Sequence, residues 1–112
     1  MSEPNNEPIQ DVIKAREILL YDDADRLRLS MSCYSDPEIN LYSQDGKQAL
    51  TISTLEQDGN SRRITFWGKH PQFRAMIFSR DNGVGCTFYD KDGKNVGTVG
   101  YVDGEGWFKN EP

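Results

Sequence analysis

A twelve-residue pattern recurs four times in this chain, and it constrains the fold more than any other feature of the sequence. Each copy starts with an apolar residue followed by an aromatic one, continues through a polar turn, and ends in a second apolar run. The copies begin at Leu20, Leu41, Phe66 and Phe88, at intervals of 21, 25 and 22 residues. Internal repeats of this period are typical of repeat architectures. The sequence therefore says more about the fold than about the chemistry.

Apolar residues within each copy lie two positions apart, which is the period of a β-strand. Ile18 and Leu20 precede the first turn, and Leu29 and Met31 follow it. The turns, and the segments between copies, are rich in Asp, Asn, Gly and Pro, which favour tight turns. We expect eight strands of about five to six residues each, with residues 107–108 (Trp-Phe) beginning a ninth.

Strands that follow each other in sequence usually pair, so the chain is predicted to be all-β, with tandem β-hairpin repeats in an antiparallel meander. The pattern leaves open whether the meander closes into a barrel-like form, folds into a sandwich-like form or stays an open sheet. A single β-repeat domain is predicted for residues 12–112. It follows a polar arm over residues 1–11, which is expected to be disordered.

Two of the hairpin turns are well specified. Asp45-Gly46 and Asp92-Gly93 lie between alternating runs and predict type I′ turns, in which both central residues take a positive φ. The third copy carries His70-Pro71 at this place. Because proline cannot adopt a positive φ, the third hairpin is expected to use another turn type or a longer loop.

The charge of the chain excludes several classes of partner. Acidic residues number 18 and basic residues 13, for a formal net charge of -5. Phosphate binding needs a clustered positive surface, so neither nucleic acid nor an anionic membrane surface is expected as a partner. The sequence has no apolar run of the about 18 residues that span a membrane. It also has no apolar stretch of a secretory signal after Met1, so a cytoplasmic location is expected.

Metal and cofactor sites are not indicated by the sequence. Cys33 and Cys86 stand alone and the chain has one histidine, so zinc-ligand spacing is missing and two free thiols are expected. Their sulfurs would approach only if the array closed on itself. Acidic turns offer oxygen ligands to calcium, but calcium needs about six to eight oxygens, and Asp and Gly are common in tight turns in any case. The acidic residues concerned are Asp90, Asp92, Asp103 and Glu105.

The aromatic residue near the start of each copy is the best candidate for a binding site. It follows an inward-pointing apolar residue, so it is expected on the opposite face of the sheet, near the hairpin end. One interpretation is a stacking platform for carbohydrate or for an apolar patch of a partner protein. The alternative is structural, because aromatic residues favour strands and pair across them for about 0.2–1 kcal/mol each, or lie in a subunit interface. The candidate residues are Tyr21, Tyr42, Trp67 and Tyr89.

Catalytic motifs are missing from the sequence. The only histidine, His70, is predicted at an exposed hairpin tip, and the chain has no Gly-x-Ser-x-Gly motif. Neither cysteine stands in a recognisable nucleophile motif. We therefore expect the protein not to be an enzyme and to need no cofactor.

The repeat resembles one that occurs in uncharacterised bacterial proteins. The segments IKAREILLYDDADRLRLSM (from Ile13), INLYSQDGKQALTI and CTFYDKDGKNVGTV are similar to an opening unit I-x-A-R-x-h-x-L-x-D-x-x-G-K-x-R-h-x-L followed by copies of L-x-L-Y-D-x-x-G-K. The resemblance covers residues 13–102, is weakest over the third copy, and places Asp25 where the opening unit has glycine. It implies an all-β hairpin array and brings no activity with it.

The low fraction of apolar residues in the chain has a consequence for its function. Apolar residues, with Gly counted and Tyr left out, make up about 40% of the chain, below the about 45–50% of globular domains. Such a chain is expected to complete its burial by forming a homo-oligomer. The expected function is a non-enzymatic β-repeat module that assembles with itself or binds another protein. The alternative is a module that binds carbohydrate or another small ligand through the aromatic residues.

Overall fold

The computed structural model describes residues 8–9, 11–56, 60–69 and 72–110 of the chain. These residues form nine strands in a single sheet, and each strand pairs antiparallel with its neighbours in sequence. The predicted all-β meander is confirmed in its open form, and residues 107–108 do lie in a ninth strand. The strands are β1 (Glu17–Tyr21), β2 (Leu27–Ser32), β3 (Glu38–Tyr42), β4 (Gln48–Leu55), β5 (Ser61–Trp67), β6 (Phe73–Arg80), β7 (Gly83–Tyr89), β8 (Asn95–Val102) and β9 (Gly106–Asn110).

The disordered arm predicted for residues 1–11 falls mainly on residues 1–7 and 10, which lie outside the described residues. That expectation stays a prediction. The boundary of the β-repeat domain at residue 12 likewise stays a prediction, and the first strand begins at Glu17.

Two apolar rows cross one side of the sheet, which we call the apolar face. The register places Leu20 opposite Leu29 in the first hairpin, and Leu41 opposite Leu50 in the second. Because side chains two residues apart point to the same side of a strand, each repeat contributes to both rows. The first row is Leu20, Leu29, Leu41, Leu50, Phe66, Ala75, Phe88 and Gly97, and the second is Ile18, Met31, Ile39, Ile52, Ile64, Ile77, Cys86 and Val99.

The opposite side, which we call the aromatic face, holds the most buried residues of the sheet. Among the described residues no hydrophobic side chain is buried, whereas six polar residues are. This reverses the usual distribution of a globular core. Large side chains lie over small polar ones on the aromatic face, while no second layer of described residues covers the apolar face. The buried polar residues are Ser30, Asn40, Thr51, Ser61, Thr65 and Thr87.

The type I′ turns predicted for the second and fourth hairpins are wrong. Gly46 takes a positive φ of 85°, but Asp45 does not. The backbone N–H of Gly46 donates to the carbonyl of Ser43 at 3.0 Å, so the turn covers residues 43–46 with its left-handed residue last. This is a type I turn followed by a left-handed residue in a bulge. A separate register shift lies next to this loop, between the pairs Leu41/Leu50 and Tyr42/Gln48.

The third hairpin differs from the others, as the proline in its loop predicts. The N–H of Gly68 donates to the carbonyl of Gln72 at 2.9 Å, which closes the hairpin as in the other copies. The turn hydrogen bond, however, runs from the N–H of Gln72 to the carbonyl of Lys69, one residue later than in the other hairpins. His70 and Pro71 themselves lie outside the described residues.

Candidate functional site

The four candidate aromatic residues occupy equivalent places in the sheet. Tyr21, Tyr42, Trp67 and Tyr89 are the last residues of β1, β3, β5 and β7, and each lies at a register shift before its turn. Each follows a residue of the first apolar row. Their side chains therefore lie on the aromatic face, as the sequence predicts.

The rings of β3 and β5 lean over the strand that precedes them. The hydroxyls of Tyr42 and Ser30 share a hydrogen bond of 3.2 Å. Trp67 repeats the arrangement, because its Nε1–H donates to Oγ1 of Thr51 at 2.9 Å. In both cases the aromatic residue contacts the small polar residue diagonally across the ladder, which explains why these polar side chains are buried.

A polar network extends from Trp67 across the aromatic face. Thr51 continues the network, because its Oγ1–H donates to Oδ1 of Asn40 at 2.6 Å. The same Asn40 oxygen accepts from Nε2 of Gln48 at 2.8 Å, and Nδ2 of Asn40 donates to Oε1 of Glu38. Buried polar groups that are satisfied in this way fix one arrangement of side chains. The network gives this part of the aromatic face a structural role.

Phe73 joins the third and fourth copies, and sequence reasoning missed it. Its ring lies 4.7 Å from that of Trp67 and 5.8 Å from that of Tyr89, between centroids. The register pairs it with Trp67 at the place where Gln48 pairs with Tyr42. The signal was present in the sequence, because aligning the second strands places an aromatic residue where the other copies have Leu27, Gln48 and Asn95.

Tyr21 differs from the other three aromatic residues. It is 55% exposed, whereas the others are half-buried. The reason is topological: β1 is the first strand of the sheet, so within the described part of the chain no strand precedes it for the ring to lean over. A stacking platform for sugar rings needs exposed ring faces, and only Tyr21 offers a largely exposed ring. The carbohydrate-binding role of the four residues stays a prediction.

The apolar face is the larger exposed feature. Phe66 and Ile77, in central strands, are 43% and 47% exposed. The rows run through eight strands, about 34 Å at the usual strand spacing, and cover on the order of 500 Å². Contiguous apolar patches of this size on a single chain are often functional. The residues of the two rows that are exposed are Leu20, Met31, Leu41, Ile52, Phe66, Ile77, Phe88 and Val99.

The middle of the apolar face is concave. A depression of about 340 Å³ crosses β4 to β7 and is lined by Ile52, Ile64, Ile77 and Val84. Arg62 stands at its margin and is exposed. The rows themselves contain no charged residue, so the depression is suited to an apolar occupant.

Asp22, in the first turn, accepts hydrogen bonds from its own turn. Its Oδ1 accepts from the backbone N–H of Arg26 at 3.0 Å and of Ala24 at 2.9 Å, and its Oδ2 accepts from Nε of Arg26 at 3.0 Å. Donors that favour the charged carboxylate, with the Arg26 backbone N–H the strongest, lower the pKa of Asp22 to about 2. Asp22 therefore stabilises the turn.

Asp90 has the same role in the fourth turn. Its Oδ1 accepts from the backbone N–H groups of Lys94 and Asp92, at 3.0 and 2.9 Å, and the Lys94 N–H is the main reason that its pKa is lowered. Both carboxylates considered as calcium ligands in this turn thus lie in a hydrogen-bonded turn. Within the described residues no group of three or more His, Cys, Asp or Glu side chains is placed to hold a metal ion.

The two cysteines are free thiols and lie far apart. Cys33 is exposed after β2 and Cys86 is half-buried in the second apolar row of β7. Five strand spacings separate β2 from β7, about 24 Å. The open sheet therefore keeps the two thiols from approaching each other. Partial burial raises the pKa of the Cys86 thiol.

Comparisons with known proteins return no relationship: no family model, no curated protein and no solved structure matches this chain. The resemblance to the bacterial hairpin repeat consequently stays a prediction. Among the described residues no helix has the length and apolarity needed to cross a bilayer.

Proposed function

We propose that this protein is a non-enzymatic β-repeat module that assembles with itself or binds another protein through its apolar face. One observation carries the proposal: two apolar rows stay exposed across eight strands of a single-layer sheet. Leaving that much apolar surface in water costs about 25 cal/mol per Å² relative to covering it. A protein surface that covers the rows is therefore strongly favoured over solvent.

Two features support a protein partner over a small ligand. The depression over β4 to β7 is part of a continuous apolar band rather than an enclosed pocket, and small-molecule sites are usually concave and largely enclosed. Packing of a second sheet onto an apolar sheet face, about 10 Å away, is the common solution for one-sided sheets. We place the module in the cytoplasm, as expected from the sequence.

The test compares two lysine variants at positions of equal exposure. Ile77, in the second apolar row, and Val96, beside the fourth hairpin turn and outside the rows, are both 47% exposed. A buried lysine ammonium without a partner is costly, so Ile77→Lys is expected to abolish the association that covers the apolar face and to lower the mass in solution, whereas Val96→Lys is expected to leave the mass unchanged.

The measurement is the mass in solution over a range of protein concentrations, by size-exclusion chromatography with light scattering. A mass that is lower than that of the wild-type chain in Ile77→Lys alone agrees with the proposal. A mass that neither variant lowers would contradict use of the apolar face. A wild-type chain that stays monomeric, and whose apolar face binds no hydrophobic dye, would contradict the proposal as a whole.

A further inference from the structure

The two edge strands of the open sheet are protected to different degrees. In β9, Lys109 lies opposite Val99, at the place that the second apolar row would occupy. Lysine on an edge strand is a common device against pairing with another chain. In β1 the row places are filled by Ile18 and Leu20, so no charged residue interrupts the apolar rows at this edge.

Strand β1 is also exposed where its equivalents are covered. It has the same sequence pattern as β3, whose ring is covered by leaning over the preceding strand. Leu19 and Leu20 of β1 are 40% and 51% exposed, and Tyr21 is the most exposed of the four repeated aromatic residues. The strand therefore carries the side chains of an internal strand at an edge position.

Free backbone groups on β1 can be assigned from the register. The N–H of Cys33 donates to the carbonyl of Arg16 at 3.0 Å, so this opposed pair is hydrogen-bonded. Hydrogen-bonded and non-hydrogen-bonded pairs alternate along an antiparallel ladder. The backbone groups of Ile18 and Leu20 therefore face β2, while those of residues 17, 19 and 21 point away from the sheet.

We propose that β1 pairs antiparallel with β1 of a second copy of this chain, centred on Leu19, so that two sheets join edge to edge. Leu19 then lies opposite Leu19 of the second copy, and Ile18 lies opposite Leu20 of the second copy. Outward residues 17, 19 and 21 exchange about six backbone hydrogen bonds. The two-fold axis runs perpendicular to the sheet, so both apolar faces lie on the same side and form one longer face.

The charged residues favour this register over the registers centred one residue earlier or later. Centred on Leu19, the pairing overlaps all five strand residues and places Arg16 opposite Asp22 of the second copy, which are opposite charges. A register centred on Leu20 places Glu17 opposite Asp23 of the second copy, and directly opposed like charges are destabilising. A register centred on Ile18 places both Arg16 and Glu17 opposite leucines.

This pairing goes beyond the function proposed above, because it assigns a second site and its occupant. The first experiment uses proline, which blocks an outward N–H while leaving the other side of an edge strand paired. Leu19→Pro is expected to abolish the edge-to-edge dimer. The matched control is Lys109→Pro, at an outward position of the other edge, which is expected to leave the dimer intact.

Mass by light scattering and β-sheet content by circular dichroism are measured for both variants. If Leu19→Pro does not fold, Leu19→Lys replaces it, with the same expected loss of the dimer. A wild-type chain that is monomeric at every concentration would overturn the pairing, as would a folded Leu19 variant whose mass equals that of the wild-type chain. Sensitivity of assembly to Ile77→Lys reports separately on the apolar face, so the two proposals can fail independently.

The second experiment locates the contact by cross-linking. Paired residues of a hydrogen-bonded antiparallel site have Cα atoms about 5.5 Å apart, within disulfide range. In a Cys33→Ser, Cys86→Ser background, Leu19→Cys is expected to give a disulfide-linked dimer under mild oxidation, and Lys109→Cys to stay monomeric. Equal cross-linking of the two variants would refute pairing at β1.

Discussion

Asp25 holds a backbone conformation that suits glycine. Its φ is 60°, and it occupies the turn position that Gly46 and Gly93 occupy with φ of 85° and 82°. For a residue with a Cβ, this left-handed conformation costs about 1–2 kcal/mol of free energy. The cost is smaller for Asp, because its short polar side chain tolerates the conformation. The sequence resemblance had already placed Asp25 where the repeat has glycine.

We therefore expect Asp25→Gly to raise the free energy of unfolding by about 0.5–1 kcal/mol, measured by urea denaturation. Asp23→Gly is the control in the same turn, because Asp23 does not take a positive φ. It is expected to lower stability slightly, since glycine adds freedom to the unfolded chain. A variant Asp25→Gly that is less stable than the wild type would show that the position is not strained.

Asp22 gives the stability a pH dependence at the residue scale. Its pKa is lowered from 3.8 to about 2 in the folded protein, so its contribution is fully present above about pH 4 and is lost as the pH falls to about 2. Asp22→Asn keeps an acceptor oxygen but not the charge. We expect the stability difference between wild type and Asp22→Asn to shrink steadily as the pH falls from about 4 and to vanish below about pH 2. A difference that stays constant across this range would contradict the assignment.

Packing of the last strands of the sheet depends on the close contacts of one glycine, Gly100. A Cβ on Gly100, in β8, would lie 2.6 Å from the carbonyl oxygen of Val84 and 2.7 Å from the ring of Phe108. The ring of Phe108 thus covers the glycine of the neighbouring strand. Gly97, in the same strand, has its nearest neighbour atom, the carbonyl oxygen of Asn110, at 3.7 Å.

The substitution Gly100→Ala is expected to lower the free energy of unfolding by about 1–3 kcal/mol, because backbone as well as side chain must shift. Gly97→Ala has room for its methyl group and is expected to be neutral or to raise stability by about 0.5 kcal/mol. Both are measured by denaturant unfolding. Equal effects of the two variants would mean that the crowding at Gly100 is relieved without cost.

The strands that carry the aromatic residues show which features of the structure local sequence patterns do not determine. The spacing placed Tyr42 and Trp67 on one face at equivalent positions, and the structure confirms both points. Their hydrogen bonds to Ser30 and Thr51 depend on how neighbouring strands are offset. Strand offset is set by the segments between the copies, for which the sequence pattern predicted no turn type.

At the scale of the whole molecule, the sheet is a one-dimensional array. Each strand contacts only the strands before and after it in sequence. Stability in such arrays is approximately a sum over neighbouring units, so an edge strand, with one neighbour, opens more easily than a central one.

Amide hydrogen exchange is therefore expected to be slowest in β4 to β7 and faster in β1 and β9. The measurement is made at a protein concentration too low for assembly, so that pairing at an edge does not mask the gradient. Raising the concentration is expected to protect β1 more than β9. Uniform exchange across all nine strands would contradict a nearest-neighbour description.

The amino-acid sequence by itself determined the strands, their order and, away from the register shifts, the residues that share a face. These follow from period-two alternation and from turn residues, which act over a few neighbouring positions. Leu20 and Ile18, for example, are assigned to one side of β1 by spacing alone. Such local rules extend from one repeat to the next without information about distant contacts.

Only the tertiary structure decided that the sheet stays open, that its apolar side is uncovered and that its polar side is buried. Closure depends on twist and stagger accumulated over many strands, which alternation in single strands does not encode. For the same reason Tyr21 and Tyr42, alike in sequence, differ in burial: one lies at an edge and the other inside the sheet. Position in the array, rather than local sequence, determines which surface is available for binding.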